Sequence, residues 1–405
     1  MPKLLQINST VNVGSTGRIA EQIGAKAIAQ GWESYIAYGR ECGVSKSQLI
    51  KIGSVVGVWL HALLTRLTDK HGLFSTFATK RLIRKIKKIS PDVIHLHNIH
   101  GYYINYKILF DYLQKADIPI VWTLHDCWSM TGHCSHFDSA KCDRWQKQCY
   151  DCPLQCEYPS SILFDRSRRN YADKKHSFSS VSNMTLVPVS NWLAGVVLNS
   201  YLNNKELAVI HNGIDIMTFT PSEKPELVYK YNLIGKRVVL GVASPWSDKK
   251  GLSDFIKLHS HLPDDYQVVL IGLSNEQITK VPGSVLGLHR TTNADELAEW
   301  YSLADVFVNL TYEDTYPTTN LEAISCGTPV VTYRTGGSPE SVTTQTGRVV
   351  EQSDVEGIAK AIEELCAEDR GNMRKCCREY ALKHFDSNRN YEIYLDLYEK
   401  LLTKN

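Results

Sequence analysis

Residues 305–333 read DVFVNLTYEDTYPTTNLEAISCGTPVVTY, and this stretch contains a strand, an acidic loop, a helix and a second strand in that order. Pro317 and Thr318 are typical of a helix start, and Gly327 is typical of a helix end. Two apolar strands joined by a helix are the pattern of parallel strands with a crossover connection. The stretch therefore predicts a doubly wound α/β sheet.

The same alternation continues in both directions along the chain. Predicted strands lie at 3–8, 34–38, 93–97, 120–125 and 186–190, and a second series lies at 207–211, 237–242, 267–272, 305–309 and 329–333. A chain of 405 residues is long for one core and suits two α/β domains of about 200 residues each. We expect an N-terminal domain over 1–200, a C-terminal domain over 201–385, and a last helix over 386–405 that packs back toward the N-terminal domain.

The composition is that of an ordinary globular protein, with 43% hydrophobic and 22% charged residues. The net charge of +2 gives no general attraction to nucleic acid, so we expect no nucleic-acid partner. A signal peptide is not recognisable, and every apolar run is far shorter than the roughly 20 residues that cross a bilayer. We therefore expect a cytoplasmic protein whose cysteines are mostly thiols or metal ligands.

Four motifs of the second half occur in a fixed order. Asp314 and Glu322 are separated by seven residues, and Ala-x-x-x-Gly-x-Pro-Val-Val follows them directly. The other three are the turn Ile210–Asp215, the segment Asp248–Gly251 and the segment Thr335–Glu340. Together they resemble glycosyltransferase family 4, whose members use sugar nucleotides and have the GT-B fold. The resemblance implies two Rossmann-like domains that face a central cleft, and sugar transfer with retention of the anomeric configuration.

The resemblance also implies where the phosphates of the donor bind. Lys250 stands just before a helix opened by Gly251, and it would hold the two phosphates with help from Lys249. The family usually has an arginine six residues before this lysine, where the present chain has Ser244. Three cations are candidates to compensate: Arg18, Lys249 and Arg290.

The acids of this region suit the sugars of the donor rather than its phosphates. Two like charges about 4 Å apart repel by roughly 4 kcal/mol at an effective dielectric constant near 20, so Glu322 would bind ribose hydroxyls. Asp314 would hold the donor sugar, with Glu313 as the alternative. A solvated acid near the helix start is the other interpretation. Backbone amides of the first helical turn would bind the diphosphate, and this turn contains Thr318, Thr319 and Asn320.

Candidate residues of the N-terminal domain follow its predicted strands. Gly14 would let the backbone approach an anionic group of the donor, although a plain turn explains it equally well. His125 lies in the segment WTLHD (122–126), which is similar to the family's active-site loop. The resemblance implies that it orients the reacting sugar; the alternative is a core histidine. Acceptor contacts are expected from His97, His100 and Arg18, and a metal site at 95–100 is disfavoured because no carboxylate or cysteine adjoins these histidines.

Six of the 11 cysteines lie in an insertion over residues 127–156. Four of them have the ligand number of a closed zinc site: Cys134, Cys142, Cys149 and Cys152. The alternatives are buried free thiols and redox or disulfide chemistry. A catalytic metal is not expected, because lysines and helix dipoles can take its place.

Residues 77–89, FATKRLIRKIKKI, predict a basic amphipathic helix with Phe77, Leu82, Ile83, Ile86 and Ile89 on one apolar stripe. The cations of 80–88 would each contribute about 1 kcal/mol to binding an anionic membrane. That attraction would hold the enzyme at the inner face of the cytoplasmic membrane, near a lipid-linked acceptor. The alternative, which is compatible with the first, is a crossover helix with a solvated outer face. Further cations that would extend the patch are Arg166, Arg168, Arg169, Lys174 and Lys175.

These observations predict a retaining glycosyltransferase that moves a hexose-type sugar from a UDP- or GDP-sugar to a lipid-linked saccharide acceptor of a surface polysaccharide. Three alternatives remain. They are a sugar-nucleotide epimerase or phosphorylase on the same fold, a zinc-stabilised binding protein without catalysis, and an NAD-dependent dehydrogenase. The dehydrogenase is disfavoured because the first loop lacks the third glycine of the dinucleotide motif and no acid follows the second strand.

Overall fold

The computed structural model describes residues 1–223 and 225–403. The chain forms two compact units. The first contains residues 1–211 and the chain from 389 onward, and the second contains residues 212–388. The first unit therefore extends beyond the predicted limit at 200, and it also includes most of the last helix.

The first unit contains a seven-stranded parallel sheet. Its strands are β1 (Lys3–Asn8), β2 (Glu33–Tyr38), β3 (Gln48–Lys51), β4 (Val93–Leu96), β5 (Ile120–Leu124), β6 (Met184–Pro188) and β7 (Glu206–Leu207). They follow the order β3-β2-β1-β4-β5-β6-β7. The order reverses between β1 and β4, and ligands of such sheets bind at this point beyond the carboxyl ends of the strands.

Six helices connect the strands of this sheet. They are α1 (Gly14–Ala29), α2 (Val55–Thr68), α3 (Thr76–Ile89), α4 (Tyr106–Leu113), α5 (Ser167–Ser179) and α6 (Asn191–Leu198). Helix α1 packs against β1 and β2. Its start therefore lies at the carboxyl end of β1, where the predicted Gly14 loop stands.

The second unit repeats the architecture with six parallel strands in the order β10-β9-β8-β11-β12-β13. These are β8 (Arg237–Val242), β9 (Tyr266–Ile271), β10 (Leu286–Leu288), β11 (Val306–Asn309), β12 (Val330–Tyr333) and β13 (Gly347–Val350). Its helices are α7 (Pro225–Lys230), α8 (Leu252–Leu258), α9 (Asn275–Ile278), α10 (Ala294–Leu303), α11 (Thr318–Ser325), α12 (Val355–Ala367) and α13 (Arg370–His384). Two parallel α/β sheets confirm the predicted fold class.

The last helix, α14 (Ser387–Thr403), packs into the core of the first unit. Thr123 on β5 donates to the hydroxyl of Tyr394 at 3.0 Å. The hydroxyl of Tyr398 lies 2.6 Å from Nδ1 of His95 on β4. Both tyrosines are buried, so α14 is attached to the first sheet by apolar burial and by two buried hydrogen bonds.

Four strand assignments differ from the sequence prediction. The strand predicted at 207–211 was placed in the second domain, but β7 pairs with β6 and forms an edge of the first sheet. The prediction was wrong because two paired residues carry no pattern that identifies their sheet. Three further strands were missed: β3, β10 and β13. Each is a short strand at an edge of its sheet and lacks the continuous apolar run that identifies the central strands.

The basic helix α3 differs in one respect from its prediction. Leu82 and Ile86 are buried, whereas Phe77 is 88% exposed and does not belong to the buried stripe. Lys174 is buried as well, so it does not extend the basic surface. None of the helices within the described residues is long and apolar enough to span a membrane.

Candidate functional site

Two loops of the second unit touch beyond the carboxyl ends of β8 and β11. Gly251 opens α8 with a φ of 77°, and a side chain there would clash with the carbonyl oxygen of Leu310. The amide of Tyr312 donates to the carbonyl of Lys249 at 2.8 Å. The glycine of the Lys-Gly motif therefore permits a close backbone approach, and this contact positions Lys249 and Lys250.

Each of these lysines forms an ion pair with an acid of the β11–α11 loop. Lys249 Nζ lies 2.9 and 3.0 Å from the two carboxylate oxygens of Glu313. Lys250 Nζ lies 3.2 Å from Asp314 Oδ2 and 3.2 Å from Thr311 Oγ1. The lysine side chains are 33% and 39% exposed, respectively. An anionic ligand can therefore reach both ammonium groups from solvent.

Helix α11 begins directly after this loop. Its N-cap residue, Pro317, makes no side-chain hydrogen bond to the first turn. The amides of a first helical turn carry partial positive charge and need an acceptor. Thr318 and Thr319 are half-buried in this turn. An anion beside Lys250 would suit the charge of this helix end.

Asn320 was predicted to lie in the helical turn that binds the donor, and its side chain joins three protein segments. Its Oδ1 accepts from Asn309 Nδ2 at 2.8 Å. Its Nδ2 donates to the hydroxyls of Ser338 and Ser341 at 2.9 and 3.0 Å. The side chain is fully buried. Its role is to position α11 against β11 and the turn at Ser338–Ser341.

Glu322 is on the buried side of α11 and is only 6% exposed. The hydroxyl of Tyr301 on α10 donates to its Oε2 at 3.1 Å. A carboxylate accepts hydrogen bonds from hydroxyl groups, and Tyr301 supplies one such group here. Sequence reasoning missed Tyr301, because only the packing of α10 on α11 brings it to Glu322.

Two histidines at the ends of β4 and β5 contact each other in the first unit. His125 Nε2 lies 3.2 Å from His97 Nδ1, and His97 Nε2 lies 3.0 Å from Gln6 Oε1. His97 is 1% exposed, and both of its ring nitrogens face protein groups, so its visible role is to hold His125 in place. Burial lowers the pKa of His125 to about 4, although Asp126 opposes the shift. Near pH 7 the His125 ring is neutral and offers hydrogen bonds but no charge.

His100 was a second candidate for acceptor contact, and the structure pairs it with protein groups. Its Nε2 lies 2.7 Å from Asp126 Oδ2, and its Nδ1 lies 3.0 Å from the hydroxyl of Tyr158. Burial favours the neutral form of Asp126, but His100, His136 and the amide of Trp128 together outweigh burial and lower the pKa of Asp126 to about 2. Asp126 therefore stays ionised beside His125, a role that the sequence did not indicate.

Gly14 and Arg18 lie at the start of α1, which follows the carboxyl end of β1. Gly14 has a φ of 68°, and nothing lies within 4 Å of the position that a Cβ would take. Arg18 is exposed one turn later. This helix start is open to a ligand, and it stands on the same edge of the first sheet as His125 because all strands of the sheet are parallel.

The cysteine insertion forms a small apolar cavity in the first unit. The four predicted zinc ligands all line it: Cys134, Cys142, Cys149 and Cys152. They are free thiols, and a hydrogen bond from Cys134 lowers the pKa of Cys152 to about 7. In the described part of the chain, no three His, Cys, Asp or Glu side chains are already arranged to hold one metal ion.

His133, which sequence reasoning missed, lines the same cavity. Its Nδ1 lies 2.7 Å from Asp69 Oδ1, and both side chains are fully buried. Its Nε2 is buried without a hydrogen-bond partner among residues 1–223 and 225–403. A buried nitrogen of this kind needs an acceptor, a donor or a metal to compensate its lost hydration.

Family models match both units of the chain. Residues 16–217 match the model of Glycosyltransferase Family 4, and residues 223–384 match that of Glycosyl transferases group 1. The putative colanic acid biosynthesis glycosyl transferase WcaC of Escherichia coli K12 is 27% identical over 368 residues, which are 87% of this chain and 88% of that protein.

Two further proteins are similar. An N,N'-diacetylbacillosaminyl-diphospho-undecaprenol alpha-1,3-N-acetylgalactosaminyltransferase of Campylobacter jejuni is 27% identical over 56% of this chain and 63% of its own length. The crystal structure of Anabaena Alr3699/HepE in complex with UDP-glucose matches 99% of this chain and 100% of that one, with a TM-score of 0.67 and 14% identity. This similarity identifies the fold as GT-B.

Proposed function

This chain belongs to glycosyltransferase family 4, and we propose that it transfers a sugar from a nucleoside-diphosphate donor to a saccharide acceptor with retention of the anomeric configuration. The acceptor belongs to the biosynthesis of a surface polysaccharide. WcaC is named for colanic acid biosynthesis, and the HepE structure contains UDP-glucose. The name of WcaC supports a polysaccharide product, and the UDP-glucose of the HepE structure supports a sugar-nucleotide donor.

The arrangement of two lysines beside the start of α11 carries this proposal. A departing nucleoside diphosphate gains negative charge, which positive groups held in place can stabilise without further rearrangement. Lys249 and Lys250 supply two cations beside the β11–α11 loop, and the first turn of α11 supplies oriented amides. These groups can stabilise the diphosphate without a bound metal.

The two acids take different parts in this proposal. Glu313 holds Lys249 through both carboxylate oxygens, whereas Asp314 contacts Lys250 through one oxygen only. The Asp314–Lys250 pair, with its single contact, is therefore easier to break than the Glu313–Lys249 pair. On donor binding, Lys250 turns to the phosphates and Asp314 turns to hydroxyls of the donor sugar, while Glu313 continues to orient Lys249.

Glu322 binds the ribose hydroxyls of the nucleotide in this proposal, because it is a buried acceptor held by Tyr301. Neutral His125 hydrogen-bonds to the donor sugar and orients it. Proton abstraction by His125 is not required when the leaving phosphate receives the proton of the acceptor hydroxyl. The amide of Gly14 and the cation of Arg18 border the same edge of the first sheet as His125.

We propose a lipid-linked acceptor that is reached from the cytoplasmic face of the membrane. The name of the Campylobacter relative includes a diphospho-undecaprenol acceptor. Residues 80–88 expose Lys80, Arg81, Arg84, Lys87 and Lys88 along α3. An anionic membrane surface attracts such a cluster by about 1 kcal/mol per cation.

We also propose that the cysteine insertion binds structural zinc. Four thiols and the unpartnered Nε2 of His133 line one cavity, and Asp69 orients the histidine as carboxylates orient zinc-bound imidazoles. Binding requires these side chains to move toward a common point. Metal analysis of purified protein tests the proposal: about one zinc per chain supports it, and zinc-free protein with unchanged thermal stability contradicts it.

Calorimetric titration with UDP, GDP and their glucose conjugates tests the donor site. Lys250→Ala should weaken nucleotide binding, and Lys280→Ala, which removes an exposed lysine paired with Glu276, should leave it unchanged. The anomeric configuration of the product is then read by NMR. Equal binding by wild-type protein and Lys250→Ala would refute the phosphate assignment, and an epimer formed from donor alone would identify an epimerase.

A further inference from the structure

Helix α2 turns an apolar face to solvent. Val56 is 73% exposed and Trp59 is 66% exposed. Leu60, Leu63 and Leu67 continue the same face at helical spacing, and each is more than a third exposed. The opposite face buries His61 and Thr65. A surface helix normally has its polar side outward, so this reversed arrangement indicates a contact with an apolar environment.

Exposed apolar residues extend this face at both ends of α2. Gly53, just before α2, lies close to the start of α3. A Cβ at Gly53 would be 3.4 Å from Ala78, the residue next to the exposed Phe77. At the other end, the amide of Ile162 donates to the carbonyl of Arg66 at 2.8 Å. Residues 162–164 (Ile-Leu-Phe) are each at least 60% exposed. Fourteen helical residues span about 21 Å, so the apolar surface is long as well as exposed.

The charge around this face identifies the environment. Residues 42–91 contain ten Lys and Arg and a single acid, Asp69, although the whole chain has a net charge of only +2. Asp69 is fully buried and paired with His133, so it does not offset the surface cations. The start of α3 lies next to Gly53 at the start of α2, and the exposed cations of α3 follow along that helix. Apolar side chains beside a cluster of cations match the acyl chains and headgroups of an anionic bilayer.

We propose that α2, together with Phe77 and residues 162–164, inserts into the interfacial layer of an anionic membrane while the cations of α3 contact the lipid headgroups. The first unit then lies on one leaflet and does not span it. This inference extends the proposed membrane attachment by α3 and does not depend on the identity of the donor.

Sedimentation with vesicles of phosphatidylglycerol and phosphatidylcholine tests the apolar and the electrostatic contributions to membrane binding separately. The triple variant V56S/W59S/L63S removes apolar contacts and keeps every charge, and we expect its vesicle partition coefficient to fall by about tenfold or more. The matched control Y229S/I234S changes exposed apolar residues of the second unit and should bind as the wild type does. At about 0.5 M NaCl the attraction between the cations of α3 and the lipid headgroups is screened. The difference in partition coefficient between the triple variant and the wild type should persist.

Trp59 also reports insertion directly. Lipids brominated along the acyl chain should quench part of the tryptophan fluorescence, and W59F should abolish most of that quenching. Because W59F preserves an aromatic ring, it also controls for misfolding of the triple variant. Circular dichroism and melting temperature establish that each variant is folded.

Two results would overturn the inference. One is equal partition of wild type and a folded triple variant, with no quenching of Trp59. The other is a dimer in solution that the triple substitution converts to a monomer without any change in vesicle binding, since the face would then be a contact between two copies. UDP-glucose titration of the triple variant and of W59F separates these outcomes from failure of the donor site, because neither variant changes a residue of the second unit.

Discussion

Replacing Glu322 by glutamine removes one negative charge from a buried site and preserves the shape of the side chain. The carboxylate is 6% exposed and accepts a hydrogen bond from Tyr301. In the proposed complex it also accepts bonds from two ribose hydroxyls. Glutamine retains one acceptor oxygen, and its amino group cannot accept from the second hydroxyl.

The expected loss follows from these hydrogen bonds. A bond to a charged group contributes about 1.5–3 kcal/mol, and a neutral bond contributes about 0.5–1.5 kcal/mol. One charged bond disappears and one becomes neutral, so the loss is about 2–4 kcal/mol. That free energy corresponds to a dissociation constant for UDP that is roughly 30- to 1000-fold higher.

Calorimetric titration with UDP and 2′-deoxy-UDP separates this effect from general damage to the site. The wild type should prefer UDP, and Glu322→Gln should reduce the preference because the 2′-hydroxyl loses its charged partner. Glu363→Gln, an exposed substitution on α12, serves as the charge-matched control. If Glu322→Gln retains the full discrimination between the two nucleotides, Glu322 does not bind the ribose.

Further predictions concern the lysine loop and the buried acid of the first unit. Lys249→Ala should weaken UDP-glucose binding less than Lys250→Ala, because Lys249 stays paired with Glu313 in the proposed complex. Equal losses of affinity by calorimetry would contradict the different roles proposed for the two lysines. Gly251→Ala should destabilise the protein by roughly 2 kcal/mol or more, from positive φ and the backbone clash, as measured by urea unfolding. The folded-state pKa of Asp126 lies below its ordinary value of 3.8, so its stabilisation is present above about pH 4 and is lost as pH falls toward 2. The loss in free energy of unfolding caused by Asp126→Asn should therefore become smaller over that pH range. A loss that does not change with pH would contradict the interaction with His100.

The fold class and the loops that carry the candidate site follow from local patterns in the sequence. Pro317 and Gly327 bracket a short crossover helix because their backbone preferences start and end helices. The Lys-Gly segment could be assigned to a loop for a similar reason, because Gly251 is typical of a turn before a helix. The resemblance to glycosyltransferase family 4 was also recognisable from the sequence, and the family matches confirmed that resemblance.

Which side chains are available to a ligand depends on tertiary packing. Asn320 and His97 have the residue types of binding groups, yet both are buried and occupied by protein partners. Tyr301 reaches Glu322, and β7 joins the first sheet, through contacts between distant segments. A pattern of neighbouring residues specifies a helix or strand because its hydrogen bonds and side-chain periodicity are local. Burial and partners depend on how separate elements pack, which no local pattern contains.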